Sequence, residues 1–228
     1  MPTRAQIRTR TLRRADAVGS PRWDTTAGSS GEVDQILGLA FDKEWRRILN
    51  ANRYYRYAKR TPTSNSSGRY VLSDLDSGSG DTVQRLYRII KVVIDDILYK
   101  HSRFDLWPQA EDKGWSPRVW WREGDDVFAL PKQASKAATG IYVNHIPARI
   151  DNLSADTVNI TFPDGYEDIG CLEAAALILS KGGAETQASS ELKALAEEMR
   201  ADMLQDIARL STEPLRFEPE DSAMDWAG

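Results

Sequence analysis

The chain of 228 residues holds one cysteine and two histidines. A single cysteine excludes a disulfide framework within the chain and fits a reducing compartment. With Cys171, His101 and His145 as the whole His/Cys supply, a metal site built on those ligands is close to arithmetically excluded, and no cofactor is expected. No apolar run approaches about 18 residues, so no segment reads as a membrane span. The glycine patterns of phosphate loops, dinucleotide folds and nucleophile elbows are missing too, since "GSSG" and "GSGD" lack the required flanks. Sequons at Asn65, Asn152 and Asn159 carry no weight without a secretory signal.

What the chain does have is lopsided charge. Residues 1–60 carry 13 basic and 6 acidic side chains, a net +7, while residues 151–228 carry 5 basic and 17 acidic, a net −12. Such polarity suits head-to-tail contact between copies, or a basic face toward nucleic acid; two independently solvated faces explain it equally well. The Arg-rich N-terminus reads as a solvated basic helix or arm in preference to a targeting segment.

Helical spacing is plain in two places. Val33, Ile36, Leu37, Ala40, Phe41, Trp45, Ile48 and Leu49 form one stripe behind a capping box at Ser29-Ser30-Gly31-Glu32, with Asp34, Asp42, Lys43, Arg46 and Arg47 opposite. Near the other end, Asp164 and Glu167 repeat the capping-box spacing before a short helix with Ile169, Leu172, Ala176 and Leu179 on one face. Gly182-Gly183 stops it. A long helix follows, striped by Leu192, Leu195, Ala196, Met199, Met203, Ile207 and Leu210, so the two make an antiparallel hairpin.

Between these, residues 54–160 read as strands and loops. "RYVLSD" is one strand. "RLYRIIKVVIDDILYK" is one or two, broken near Asp95-Asp96; "RVWWRE" and "DVFALP" form a hairpin across Gly124-Asp125. "GIYVNHIPARI" is a further strand ending at Pro147. The organisation expected is a basic arm and first core helix over 1–53, a β-rich insertion over 54–160, a helical hairpin over 161–211 and an extended acidic tail over 212–228.

Chemistry-bearing clusters are few. Asp95-Asp96 is the one acid pair in a strand-like apolar setting, yet adjacent aspartates are far commoner in turns. His101 and His145 fall in no triad or metal spacing, and Cys171 sits in an alanine-rich helix as a small apolar group. "NRYYRYAKR" interleaves Tyr with Arg and could stack bases and contact phosphates, or simply form an amphipathic strand. The chain is not expected to be an enzyme.

Phe162-Pro163-Asp164, Tyr166-Glu167, Ala174-Ala175-Ala176, Lys181-Gly182 and the Glu191-to-Leu210 helix together resemble the head-to-tail adaptor (connector) proteins of short-tailed bacteriophages. The likeness spans about residues 20–211 and is strongest from about 158 to 210. It implies an α+β, mainly helical fold, an antiparallel helical bundle with a β-rich insertion and extended terminal arms. It also implies a structural virion protein at the portal vertex, made in the host cytoplasm, whose ring of twelve copies bridges the portal to the tail, meets nozzle or tail-fibre proteins and continues the DNA channel. In that setting Leu215, Phe217, Met224 and Trp226 would anchor the tail on the portal or a neighbouring subunit. Arg4, Arg8, Arg10, Arg13, Arg14, Arg53 and Arg56 would face the DNA or a partner. A head-completion or stopper neck protein, and a sequence-independent nucleic-acid-binding protein, are the alternatives.

Overall fold

The computed structural model describes residues 1–17, 23, 31–53, 55, 57–62, 69–71, 84–101, 118–123, 126–130, 138–181 and 187–211. Among these, helix α1 (Arg4–Arg14) and helix α2 (Glu32–Ala51) precede seven strands, and α3 (Glu167–Ser180) and α4 (Gln187–Ser211) follow them. The strands are β1 (Tyr57–Arg60), β2 (Arg69–Val71), β3 (Gln84–Ile94), β4 (Ile97–His101), β5 (Val119–Glu123), β6 (Asp126–Leu130) and β7 (Ala138–Pro147).

The strands make one curled, mixed sheet in the order β1-β7-β3-β4-β5-β6-β2, shaped as a half-barrel. Every described pairing is antiparallel except β4 with β5, which run parallel. Asp95 and Asp96 form the β3–β4 turn with φ of 55° and 61°. Two successive positive φ values are what the tightest hairpin turn requires, and aspartate tolerates them better than most residues. Val92, Ile94, Ile141 and Val143 alternate inward, and Tyr70, Tyr99, Trp120, Val127 and Ala129 close a sheet core over them. Burial pushes the Tyr70 phenol up to about 12.

A second, larger core belongs to the helices. Helix α3 runs through its middle, packed against α1, α2 and α4, and is buried almost all round. An apolar helix without a polar face is what such a central position selects. Gly170 brings α3 close to α2: a Cβ there would lie 2.2 Å from the Phe41 ring. Phe41 packs edge-on to Phe162 at 5.0 Å, and Trp45 meets the same ring at 5.8 Å. Ile146, Ile150, Leu153 and Ile160, from the end of β7 and the segment after it, complete this core.

These facts correct the expected mainly helical bundle with a β-rich insertion and an extended N-terminal arm. Among the described residues four helices and a seven-stranded curled sheet share the molecule, because the β-branched middle closes a core of its own instead of decorating a bundle. The N-terminus is no solvated arm either. Thr3 and Gln6 form a reciprocal capping box that starts α1, and Ile7 and Leu12 bury into the helical core. Both expected capping boxes are replaced. Helix α2 starts at Gly31 with no side-chain cap, and α3 starts at Tyr166, where Glu167 Oε2 accepts from Gly165 N at 3.1 Å. The α2 stripe is buried as read, but Asp34, expected outside, is buried with it. In α4, Leu195 is 45% exposed, so it leaves the stripe that Ala196, Met203 and Ile207 form. Ser29, Ser30, Gly182, Gly183 and residues 212–228 lie outside the described residues.

Replacing Gly170 with Ala would press a methyl into Phe41, and the expected cost is about 1–3 kcal/mol of overpacking. Urea unfolding of Gly170→Ala checks it; an unchanged midpoint would mean α2 and α3 can part without loss.

Candidate interaction surface

Two ion networks organise the helical half, and they decide which charges are left for a partner. In the first, Arg4 donates to Asp34 Oδ2 from Nε at 3.1 Å and from a terminal nitrogen at 2.5 Å, and to Leu153 O at 2.7 Å. Arg8 donates to both oxygens of Asp34 at 2.8 and 2.6 Å, and to both oxygens of Asp156 at 2.8 and 3.0 Å. Arg4 is 1% exposed and Asp34 fully buried. Hydrogen bonds donated to Asp34, opposed by burial and joined by those to Asp156, hold the Arg8 guanidinium above its usual range. Asp34 also sits in the first turn of α2, where the helix dipole favours a carboxylate.

The second network lies among α2, α3 and α4. Arg200 donates to both oxygens of the buried Glu44 at 2.8 and 3.0 Å and also bonds Glu173. Burial opposes the Arg200 charge, but hydrogen bonds to Glu44 and Glu197 outweigh it and raise its basicity. Lys43 and Arg47 reach Glu173 at 2.9 and 3.2 Å, and Arg47 reaches Glu44 at 2.8 Å. One carboxylate, Glu173, therefore serves cations from two other helices.

Above this network a groove of about 340 Å³ opens to solvent. Each helix contributes a pair spaced four residues apart: Leu39 and Lys43 from α2, Glu173 and Leu177 from α3, Lys193 and Glu197 from α4, with Ala40 at the floor. Leu39 is 58% and Leu177 40% exposed. Its carboxylates are engaged, Glu173 by three cations and Glu197 by Arg200. A carboxylate held that way is a poor general base. What the groove offers is two leucines on a stiffly braced wall.

The residues singled out from the sequence scatter. Arg4 and Arg8 are interior struts, Arg10 and Arg14 pair with Asp168 at 3.5 and 2.6 Å, and Arg13 and Arg53 are exposed. Arg56 and the anchors Leu215, Phe217, Met224 and Trp226 lie outside the described residues. Asp95 and Asp96 are exposed at their turn, and His101 stacks edge-on with Trp120 at 4.6 Å. His145 is 5% exposed in β7. Cys171 is buried, and burial pushes its thiol up to about 11, far from a reactive thiolate. No group of three His, Cys, Asp or Glu among the described residues could hold a metal, and none of their helices is long and apolar enough to cross a membrane.

Sequence reading missed both networks, although each left a trace. Arg4 and Arg8 fall in register with Ile7 and Leu12, Asp34 with Leu37 and Phe41, Glu44 with Phe41 and Ile48, Arg200 with Ala196 and Met203. Opposite charges placed inside apolar stripes of different helices are the signal of buried pairs. No protein-family model matches the chain, and no curated protein matches it.

Removing Asp34 takes the buried counter-charge from Arg4 and half of the carboxylate partners from Arg8, so Asp34→Ala is expected to cost about 3–5 kcal/mol, measured by chemical denaturation. Asp156 gives a pH signature. The Arg8 hydrogen bond, helped by the charges of Arg8 and Arg4, holds its carboxyl below the usual range. A depressed folded value means the contribution is complete above the unfolded value, near about 3.9, and is lost as pH falls through the folded one. Stability should therefore drop on acidification below about pH 4, and Asp156→Asn should flatten that drop. An equally steep fall in the variant would assign the acid sensitivity elsewhere.

Proposed function

We propose that this protein is a non-catalytic assembly component of the head-to-tail adaptor type, a ring-forming virion protein that joins a phage portal to the tail and continues the DNA channel. The observation that carries the reading is the α2–α3–α4 groove: its carboxylates are committed within the chain, while Leu39 and Leu177 remain open. A surface of that kind suits apolar docking on a rigid scaffold better than bond chemistry. We place the contact with the next subunit there, as one half of a heterologous ring interface. The segment that resembles the adaptor family supplies α3 and α4, two of the three groove walls. The acidic tail, with Leu215, Phe217, Met224 and Trp226 spaced along it, is assigned to the portal.

The test is the mass of a mixture of the protein with the portal encoded in the same genome, beside each alone. The expected result is a complex with about one copy per portal subunit. Deleting residues 212–228 should abolish it, and Leu39→Asp with Leu177→Asp should leave rings incomplete. A complex that survives the deletion would move the clasp off the tail. The absence of any complex at low or moderate salt would sink the portal role.

A further inference from the structure

We propose that the face of the β1-β7-β3 strands turned away from the sheet core binds the phosphate backbone of DNA without reading its bases. Strand alternation selects the residues. Ile141, Val143 and Val92 point into the sheet core, so Tyr142 and Lys91 point the other way. Register then builds a row across three strands, because Tyr142 is opposite Lys59 of β1 and opposite Lys91 of β3. Lys91 Nζ lies 4.2 Å from the centre of the Tyr142 ring. The neighbouring row sets Tyr57 and Arg88 on either side of Asn144, and Tyr57 and Tyr142 have ring centres 6.0 Å apart.

Helix α2 extends the same surface. Arg46 and Arg88 both lie over the Tyr87 ring, at 5.7 and 5.4 Å. Asn50 accepts from Tyr87 at 3.0 Å and from Arg88 at 2.6 Å, which fixes both side chains. Asp42, one turn before Arg46, is taken up by Arg85 at 2.7 Å. The outcome is four cations, Lys59, Lys91, Arg88 and Arg46, interleaved with Tyr57, Tyr142 and Tyr87. Lys59 and Arg46 are exposed, and the other two cations half-buried. Gly140 makes room for the Lys59 stem, since a Cβ there would lie 2.7 Å from Lys59 Cε.

Spacing and chemistry both suit a polyphosphate. Lysines two strands apart stand about 9–10 Å from each other, and neighbours along a strand face about 7 Å apart. One DNA strand rises about 3.4 Å per phosphate along the axis while winding around it, so neighbouring phosphates lie farther apart than that rise and a grid of this spacing meets near-neighbour phosphates. Tyr142 and Tyr87, held under cations, add sequence-tolerant contact area, and the row is built on strands, with α2 adding its Arg46 and Asn50 side chains. The binding stands without the adaptor reading and rests on it only in making the ligand the DNA of the channel.

The experiment measures anisotropy of a labelled duplex, with oligothymidine of equal length beside it, titrated with the full chain from about 50 to 200 mM salt. Binding should weaken steeply with salt, and Lys59→Ala/Lys91→Ala should reduce the log–log slope by about 2. Lys59→Glu alone, on an exposed edge strand, keeps the test open if the double variant folds poorly, and should weaken binding several-fold. Arg209→Ala, at the end of α4, should change nothing. Binding that both Lys59 variants leave untouched would overturn the proposal. So would no binding by the full chain at low salt; binding that appears only after removal of residues 212–228 would name the acidic tail as the occupant instead. Either loss beside an intact portal complex would refute this face and leave the adaptor role standing.

Discussion

Arg4 is a full positive charge with 1% of its surface in water, and the helical half is arranged around that fact. An arginine cannot shed its proton to escape burial, so the fold must bring a counter-charge to it. Asp34 comes from the first turn of α2, Leu153 O from the segment after β7, and Asp156 from three residues further on. The backbone follows the same path. Arg4 N and Ala5 N, two amides that the first turn of any helix leaves unpaired, donate to Val158 O and Asp156 O at 3.0 and 3.1 Å. Residues separated by some 150 positions therefore fold as one unit, and α1 is in place only when residues 153–160 are. A pair of this kind adds little net stability over an apolar replacement, but losing one partner is costly. Its effect is to specify which elements meet.

The Glu44–Arg200–Glu173 network does the same for α2, α3 and α4, and it has a consequence for the surface above. Helices held by charge-assisted bonds beneath a groove cannot easily slide, so Leu39 and Leu177 keep their separation. A partner meeting that wall loses little entropy in ordering it. The sheet face offers a different kind of rigidity, in which Lys91 lies over the Tyr142 ring and Arg46 and Arg88 over the Tyr87 ring.

Elements with strong local signals were legible. The α2 stripe, the β3–β4 break at Asp95-Asp96, the Val119–Leu130 hairpin and the β7 end at Pro147 all follow from spacing or turn chemistry that needs no distant partner. The association of strands was not legible. Nothing in β4 or β5 announces that they pair in parallel, because that pairing depends on which edges remain after the hairpins form. The N-terminal helix was misread for a related reason. Four arginines among Arg4, Arg8, Arg10 and Arg14 look like a solvated face until Asp34, Asp156 and Asp168 are brought to them by the fold. The groove depends on three helices at once and left no linear trace, whereas Tyr57 and Lys59 of the sheet face lay inside a stretch that composition had already marked.

The lopsided charge of the chain takes on a different meaning in this light. Six of the thirteen basic residues before position 61 pair with acids after position 150: Arg4 and Arg8 with Asp156, Arg10 and Arg14 with Asp168, Lys43 and Arg47 with Glu173. In the reverse sense Lys181 pairs with Glu32, and Arg200 with Glu44. Three acids, Asp156, Asp168 and Glu173, take up those six cations, so part of the opposite charge at the two ends is satisfied in closing one chain on itself. The proposed contact between copies is assigned to apolar surface at the Leu39–Leu177 groove. Lys59, Arg88 and Arg46, on the outward side of β1, β3 and α2, pair with none of those three acids. Asp156, Asp168 and Glu173 are held against the helices by their own cations, and this is why the proposed anionic partner is assigned to the sheet face.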